Sequence, residues 1–234
     1  MQQPPDAFRE EVWQGWRAVL PACAAVLPLG LALGVLVVQT GFSWWWGPLI
    51  ALFIFAGSLE FLMVGLLAAA APLSQVAVSA LLVNFRHVFY AISFPLHRVH
   101  GRGWKVYSTY ALTDEVYAVT ADPKAQTWSR TRILSIQLIF QGAWVASVCA
   151  GGLLGQLTPD SVVGLDFAIT ALFAVLSIDA YRARKSIPVT ILALGCALAG
   201  VLIAPADMLI VSMALFVAAL IGSFYFVRVR GARA

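Results

Sequence analysis

The sequence predicts an all-α polytopic membrane protein, with about seven transmembrane helices and one short re-entrant or half-helix segment. Three observations predict it. The 234-residue chain is 61% hydrophobic, with a mean hydropathy of +0.87. Only 11% of its residues are charged, less than half of the roughly 25% usual in a soluble domain. Apolar runs near the ~20 residues that a helix needs to cross a bilayer recur along the chain, separated by short cationic loops.

The elements follow in order. Residues 1–16 form a polar segment of mixed charge, and no cleaved signal is expected, because the apolar run behind it is too long and lacks a small-residue cleavage site. Candidate spans are 17–38, 48–70, 74–96, 133–155, 164–181, 187–204 and 206–227. The first holds Pro21, Pro28, Gly30 and Gly34 and is expected to be kinked or interrupted. Very short turns at 71–74 and 204–207 predict antiparallel hairpins. Residues 106–121 are too short and polar for an ordinary span. Such a segment is tolerated at membrane depth only where protein or a wet cavity covers it. The whole chain reads as a single membrane-embedded domain.

Charge gives the orientation. The cations cluster beside apolar segments at Arg98, Arg102 and Lys105, at Lys124, Arg130 and Arg132, at Arg182, Arg184 and Lys185, and at Arg228, Arg230 and Arg233. That is the positive-inside pattern, so the net charge of +4 does not point to nucleic acid. With 96–132, 181–186 and the C-terminus inside, seven spans put the N-terminus outside. An eight-span alternative lets 106–121 cross and puts the N-terminus inside. Gly30-x-x-x-Gly34 with Ala51-Leu52-Phe53 and Glu60 is echoed by Gly151-x-x-x-Gly155 with Ala171-Leu172-Phe173 and Asp179. In the seven-span topology this echo suggests an inverted repeat over 17–96 and 133–204, an arrangement that places transporter sites near the midplane.

Buried charge marks the candidate site. Among fifteen lysines and arginines, Arg86 alone sits in the middle of a long apolar segment, in Asn84-Phe85-Arg86-His87-Val88-Phe89-Tyr90. A charge at that depth costs a few kcal/mol or more, so a partner or a wet cavity must receive it. On a continuous helix Arg86, His87 and Tyr90 fall within about 100° of one another, with Asn84 beside His87. Glu60 is the second intramembrane charge, on a small-residue face with Ala56 and Gly57 that lets another helix approach closely. Asp114 and Glu115 lie in the short polar segment. Either Arg86 pairs with these carboxylates as a structural strut, most simply with Glu60, or it receives a substrate carboxylate through its planar fork. Asp179 suits an interfacial ion pair with Arg182 and Arg184, Asp166 an N-terminal helix charge, and Trp44, Trp45 and Trp46 an interfacial aromatic belt.

The sequence is not that of an enzyme. It carries no Gly-x-Ser-x-Gly elbow, His-Glu-x-x-His or phosphate loop, and nothing supplies an oxyanion hole to a Ser58–His87 dyad. Cys23, Cys149 and Cys196 all lie in apolar segments at spacings that fit no metal motif. No cofactor is expected.

The ordered motifs resemble the AzlC family, the large subunits of branched-chain amino acid permeases. The pieces that carry the resemblance are Leu27-Pro28-Leu29-Gly30-Leu31-Ala32-Leu33-Gly34, Phe55-Ala56-Gly57-Ser58-Leu59-Glu60-Phe61, Asn84-Phe85-Arg86-His87-Val88-Phe89-Tyr90, Leu112-Thr113-Asp114-Glu115, and Leu165-Asp166-Phe167-Ala168 with Ala171-Leu172-Phe173. The resemblance implies export of branched-chain amino acids across the bacterial cytoplasmic membrane. It also implies a small AzlD-type membrane partner. Glu60 departs from the family pattern, which has glutamine there, and Leu-Ser-Ile-Asp at 176–179 is a second departure. The expected mechanism has Arg86 holding the substrate carboxylate, and Glu60, or Asp114 and Glu115, taking the amino group or a coupling proton. Phe53, Phe89 and Leu112 would shape an apolar pocket. The rival expectation is a membrane scaffold whose buried charges only pair helices.

Overall fold

The computed structural model describes residues 5–157, 174, 177, 178, 181, 186–205 and 208–231. Its elements are helices α1 (Pro5–Gln39), α2 (Trp46–Phe53), α3 (Gly57–Ala68), α4 (Leu73–Asn84), α5 (His87–Ser93), α6 (Arg102–Tyr110), α7 (Asp114–Thr120), α8 (Arg130–Gln156), α9 (Ile187–Ile203) and α10 (Met208–Gly231), with 3₁₀ turns at Leu96–Arg98 and Pro123–Thr127. Two of them, α1 and α8, are long and apolar enough to cross a membrane by themselves. Helices α3 and α9, and Ile210–Tyr225 of α10, are shorter apolar helices. The predicted span at 164–181, with Asp166 and Asp179, lies almost wholly outside the described residues.

The chain forms two compact units, residues 1–71 with 83–165, and residues 72–82 with 166–234. In the second, α9 and α10 fold back on each other where a Cβ on Gly200 would meet the Ser212 Oγ at 2.0 Å. The first holds every candidate site residue.

Its frame is the pair α1 and α8. The helices touch where side chains vanish. A Cβ on Gly34 would lie 2.1 Å from the carbonyl oxygen of Val148 and 2.3 Å from the nitrogen of Gly152. One on Gly151 would lie 2.2 Å from the Leu31 carbonyl oxygen. Lipid gives helices no hydrophobic reason to associate, so close backbone approach over small residues supplies the attraction. The polar ends meet too. Ser129 caps α8 by accepting from the Arg132 N–H at 3.1 Å and donates to Glu11 at 2.7 Å. Arg132 donates to Gln14 at 2.9 Å and stacks on Trp128 at 4.1 Å.

This register corrects two expectations. Contacts run from Glu11–Ser129 through Gln14–Arg132 and Gly34–Gly152 to Val38–Gly155, so α1 and α8 are parallel. The opposite orientation expected of the first and fourth spans is overturned, and the echo of two Gly-x-x-x-Gly motifs is the two faces of one helix crossing. The start of α1 therefore lies at the same end as Arg130 and Arg132, not across the membrane from that loop. The expected interruption of the first span is overturned as well. Helix α1 runs unbroken through Pro21 and Pro28. A proline costs a helix about 3 kcal/mol, and contacts with α8 along the whole length hold the chain helical past both.

The breaks fall in the next two spans instead. The span expected at 48–70 is interrupted between α2 and α3, where Phe55 has φ +47°. The one at 74–96 is interrupted between α4 and α5, at Phe85-Arg86. The short polar segment is also divided, between α6 and α7. An unpaired backbone group costs several kcal/mol in hydrocarbon, so each break needs donors and acceptors from elsewhere.

Candidate functional site

Helix α8 supplies them to two of the breaks. Gln137, Gln141 and Trp144 are spaced i, i+4, i+7 and so share one face. Gln137 donates to the carbonyls of Ser108 (2.7 Å) and Ala111 (3.3 Å) at the end of α6, and accepts from the Ser108 hydroxyl at 2.7 Å. Gln141 donates to the Leu52 carbonyl at the end of α2 (3.3 Å) and accepts from the Tyr107 hydroxyl at 2.9 Å. Tyr110 also donates to the Leu52 carbonyl. Trp144 donates its indole N–H to both oxygens of Glu60, at 3.2 and 3.1 Å.

Glu60 is fully buried in the first turn of α3. Its Oε1 reaches back to accept from the Ala56 N–H at 2.8 Å, as the acidic member of a capping box does. Glu60 therefore closes a break and takes the Trp144 donor; it does not pair with Arg86. The simplest structural pairing expected from the sequence is corrected.

Arg86 sits in the α4–α5 break rather than on a continuous helix. Its Nη2 lies 2.8 Å from Oδ2 of Asp114 and donates to the Ser58 hydroxyl at 2.9 Å. Tyr90 donates its hydroxyl to Asp114 Oδ1 at 2.8 Å, and His87 Nε2 lies 3.9 Å from the same oxygen. Asp114 opens α7 behind Thr113, whose side chain caps the helix by accepting from the Val116 N–H. The carboxylate thus starts a helix, where an anion is favoured. Tyr117, one turn on, stacks on Tyr90 (4.3 Å between ring centres, 11° between planes) and shares a hydrogen bond with Ser93 at 2.9 Å.

The structure therefore brings together Arg86, His87, Tyr90 and Asp114. Asn84 contributes its backbone carbonyl, 3.0 Å from His87 Nδ1, while its side-chain oxygen is buried without a hydrogen-bond partner among the described residues. Glu115 follows Asp114 and is half-buried. The expected pocket wall does not form as such: Phe53 and Phe89 are 72% and 57% exposed, and only Leu112 is buried.

Arg86 and Asp114 keep 45% and 40% of their side-chain surface exposed. Among the described residues, only Nη2 of the guanidinium has hydrogen-bond partners. Nε and Nη1 keep three N–H groups without such a partner.

Sequence reasoning missed Ser58 as a ligand of Arg86, Tyr117 and Ser93 behind Tyr90, and the whole stripe on α8. The stripe was visible in principle: two glutamines and a tryptophan on one face of an apolar span have no reason to face lipid.

The profile of the family described as AzlC protein matches residues 21–158, more than half of the chain and all of the site. The chain belongs to the AzlC family. It is 31% identical over 202 residues to the branched-chain amino acid transport protein AzlC of Bacillus subtilis, covering 83% of this chain and 79% of that one. It is 35% identical over 159 residues to an uncharacterized membrane protein of Helicobacter pylori (67% and 69% covered). It is 28% identical over 202 residues to the inner membrane protein YgaZ of Escherichia coli (80% of each). No solved structure matches. As an AzlC member the chain is a transport-related membrane protein, and these names point to transport rather than enzymatic chemistry.

Proposed function

We propose that the protein is the large subunit of a secondary transporter that exports branched-chain or other small apolar amino acids across the bacterial inner membrane, coupled to protons and assembled with a small AzlD-type subunit. The observation that carries this reading is the unspent part of the Arg86 guanidinium. Its Nη2 is spent on Asp114 and Ser58, while Nε and Nη1 have no hydrogen-bond partner among the described residues. A helix strut would spend more of the guanidinium; free N–H groups at Nε and Nη1 suit a carboxylate that comes and goes. Asp114 lies within reach of the amino group of the same ligand. The name of the Bacillus subtilis relative supports the substrate class.

Efflux of valine, leucine and methionine from cells producing Arg86→Ala or Arg86→Lys tests the reading. A charge-assisted hydrogen bond contributes about 1.5–3 kcal/mol, so Arg86→Ala should lower the apparent affinity at least ~10-fold. Arg86→Lys should restore little, because one compact ammonium cannot hold Asp114 and Ser58 and also present separate N–H groups to a second carboxylate. Unchanged efflux at equal membrane abundance in Arg86→Ala removes Arg86 from substrate binding and favours the scaffold.

A further inference from the structure

We infer that His87 carries the coupling proton, and that this proton and the substrate's amino group compete for Asp114. The inference rests on the carboxylate-binding role proposed for Arg86. His87 Nδ1 lies 3.0 Å from the carbonyl oxygen of Asn84. A carbonyl oxygen only accepts, so Nδ1 holds a hydrogen. In the neutral ring Nε2 is then a bare acceptor, and it is Nε2 that faces Asp114 Oδ1 at 3.9 Å. Two lone-pair atoms face each other, and a proton entering the gap turns an unfavourable contact into an ion pair.

The break between α4 and α5 makes this geometry. It ends α4 at Asn84, which exposes that carbonyl to the ring three residues later. Among the described residues, the other titratable or charged groups around His87 are Arg86 and Tyr90 on its own segment, and Asp114, Glu115 and Tyr117 on α7. Glu60 of α3 faces Trp144 instead. Arg86 stays cationic throughout, and Tyr90 keeps its hydroxyl on Asp114. Only the His87–Asp114 contact is left for a second cation.

An α-amino acid has its carboxylate and ammonium on one carbon. With the carboxylate on the free N–H groups of Arg86, the ammonium falls toward Asp114, beside His87. A proton on Nε2 and an ammonium there are two cations claiming one carboxylate edge, and they exclude each other. Binding substrate sends the Nε2 proton to water, and protonating Nε2 expels the ammonium. Each amino acid that leaves is then exchanged for one proton, a stoichiometry that suits export driven by an inward proton gradient.

The test uses the full-length protein, reconstituted in vesicles with any small membrane subunit that co-purifies, with L-leucine as probe. In the wild type, leucine binding should weaken as pH falls from roughly 8 to 5, by up to about tenfold per pH unit, and binding at the acid end should release close to one proton. In His87→Gln that dependence should flatten to less than about twofold between roughly pH 8 and pH 5. Leucine–leucine exchange without a gradient should persist, while accumulation driven by a pH gradient is lost. A His87→Gln variant that still accumulates leucine with a pH gradient overturns the assignment, as does wild-type binding that takes up a proton or releases none. Wild-type protein that neither binds nor exchanges leucine overturns the Arg86 reading beneath it.

Discussion

Gly34→Ala tests the parallel crossing that organises the first unit. The new Cβ would sit 2.1 Å from the Val148 carbonyl oxygen, 2.3 Å from the Gly152 nitrogen and 2.7 Å from the Gly151 carbonyl carbon. All three are backbone atoms of α8, so no rotamer relieves the clash. Contact at about 3.5 Å requires α1 and α8 to part by more than 1 Å. Overpacking of this kind costs about 1–3 kcal/mol, against up to ~1 kcal/mol gained by replacing a helical glycine. Gly142 on α8 is the internal control, since a Cβ there meets nothing within 4 Å. Gly142→Ala should be neutral or stabilising by up to ~1 kcal/mol. Gly30→Ala falls between: rotation of Ser147 relieves the 1.8 Å clash with its Oγ, but the 2.8 Å contact with its Cβ stays. The assay is thermal unfolding in mild detergent, read by the fraction that stays monodisperse. At ~2–4 °C per kcal/mol for a chain of this size, Gly34→Ala should melt several degrees below the wild type and below Gly142→Ala. Gly34→Ala melting at or above Gly142→Ala would refute the crossing.

Further expectations concern the buried polar groups. Glu60→Gln keeps an acceptor for the Ala56 and Trp144 N–H groups and should melt within about 1 kcal/mol of the wild type; Glu60→Leu orphans both donors and should lose about 1–3 kcal/mol for each, so equal melting of the two variants would show that Glu60 is not the cap. Gln137→Leu leaves the Ser108 and Ala111 carbonyls without their α8 donor and should destabilise by about 2 kcal/mol or more, measured by the same melt. Phe55→Gly should tolerate the positive φ better, recovering about 1 kcal/mol of backbone strain and losing the ring contacts with Tyr110 and Phe140; if the turn matters more than the ring, the variant should melt no lower than the wild type in the same assay.

The legible part of the site was its charge. Arg86, Glu60 and Asp114 stood out because ions are costly in an apolar run whatever lies next to them. Their pairing was not legible. Glu60 and Arg86 were natural partners on continuous helices, but the breaks at Phe55 and at Phe85-Arg86 turn Glu60 toward Trp144 and Arg86 toward Asp114. Neither break is marked by proline, and Pro21 and Pro28 pointed to one in α1 that does not occur. A break is stable only if something satisfies its open backbone groups. That depends on Gln141 and Trp144 of α8, 89 and 84 residues from Leu52 and Glu60 in sequence, and on Gln137, 29 and 26 residues from Ser108 and Ala111.

The sequence alone determined that this is a helical membrane protein of the AzlC type and which of its side chains are too costly to be idle. Hydropathy, loop charge and the desolvation of single ions are properties of short segments, so they can be read locally. Only the tertiary structure decided that α1 and α8 run parallel, where helices break, and that Arg86 meets Asp114 with N–H groups to spare. Those outcomes depend on which distant backbone atoms come within hydrogen-bond or van der Waals reach, and both interactions fall off within an ångström.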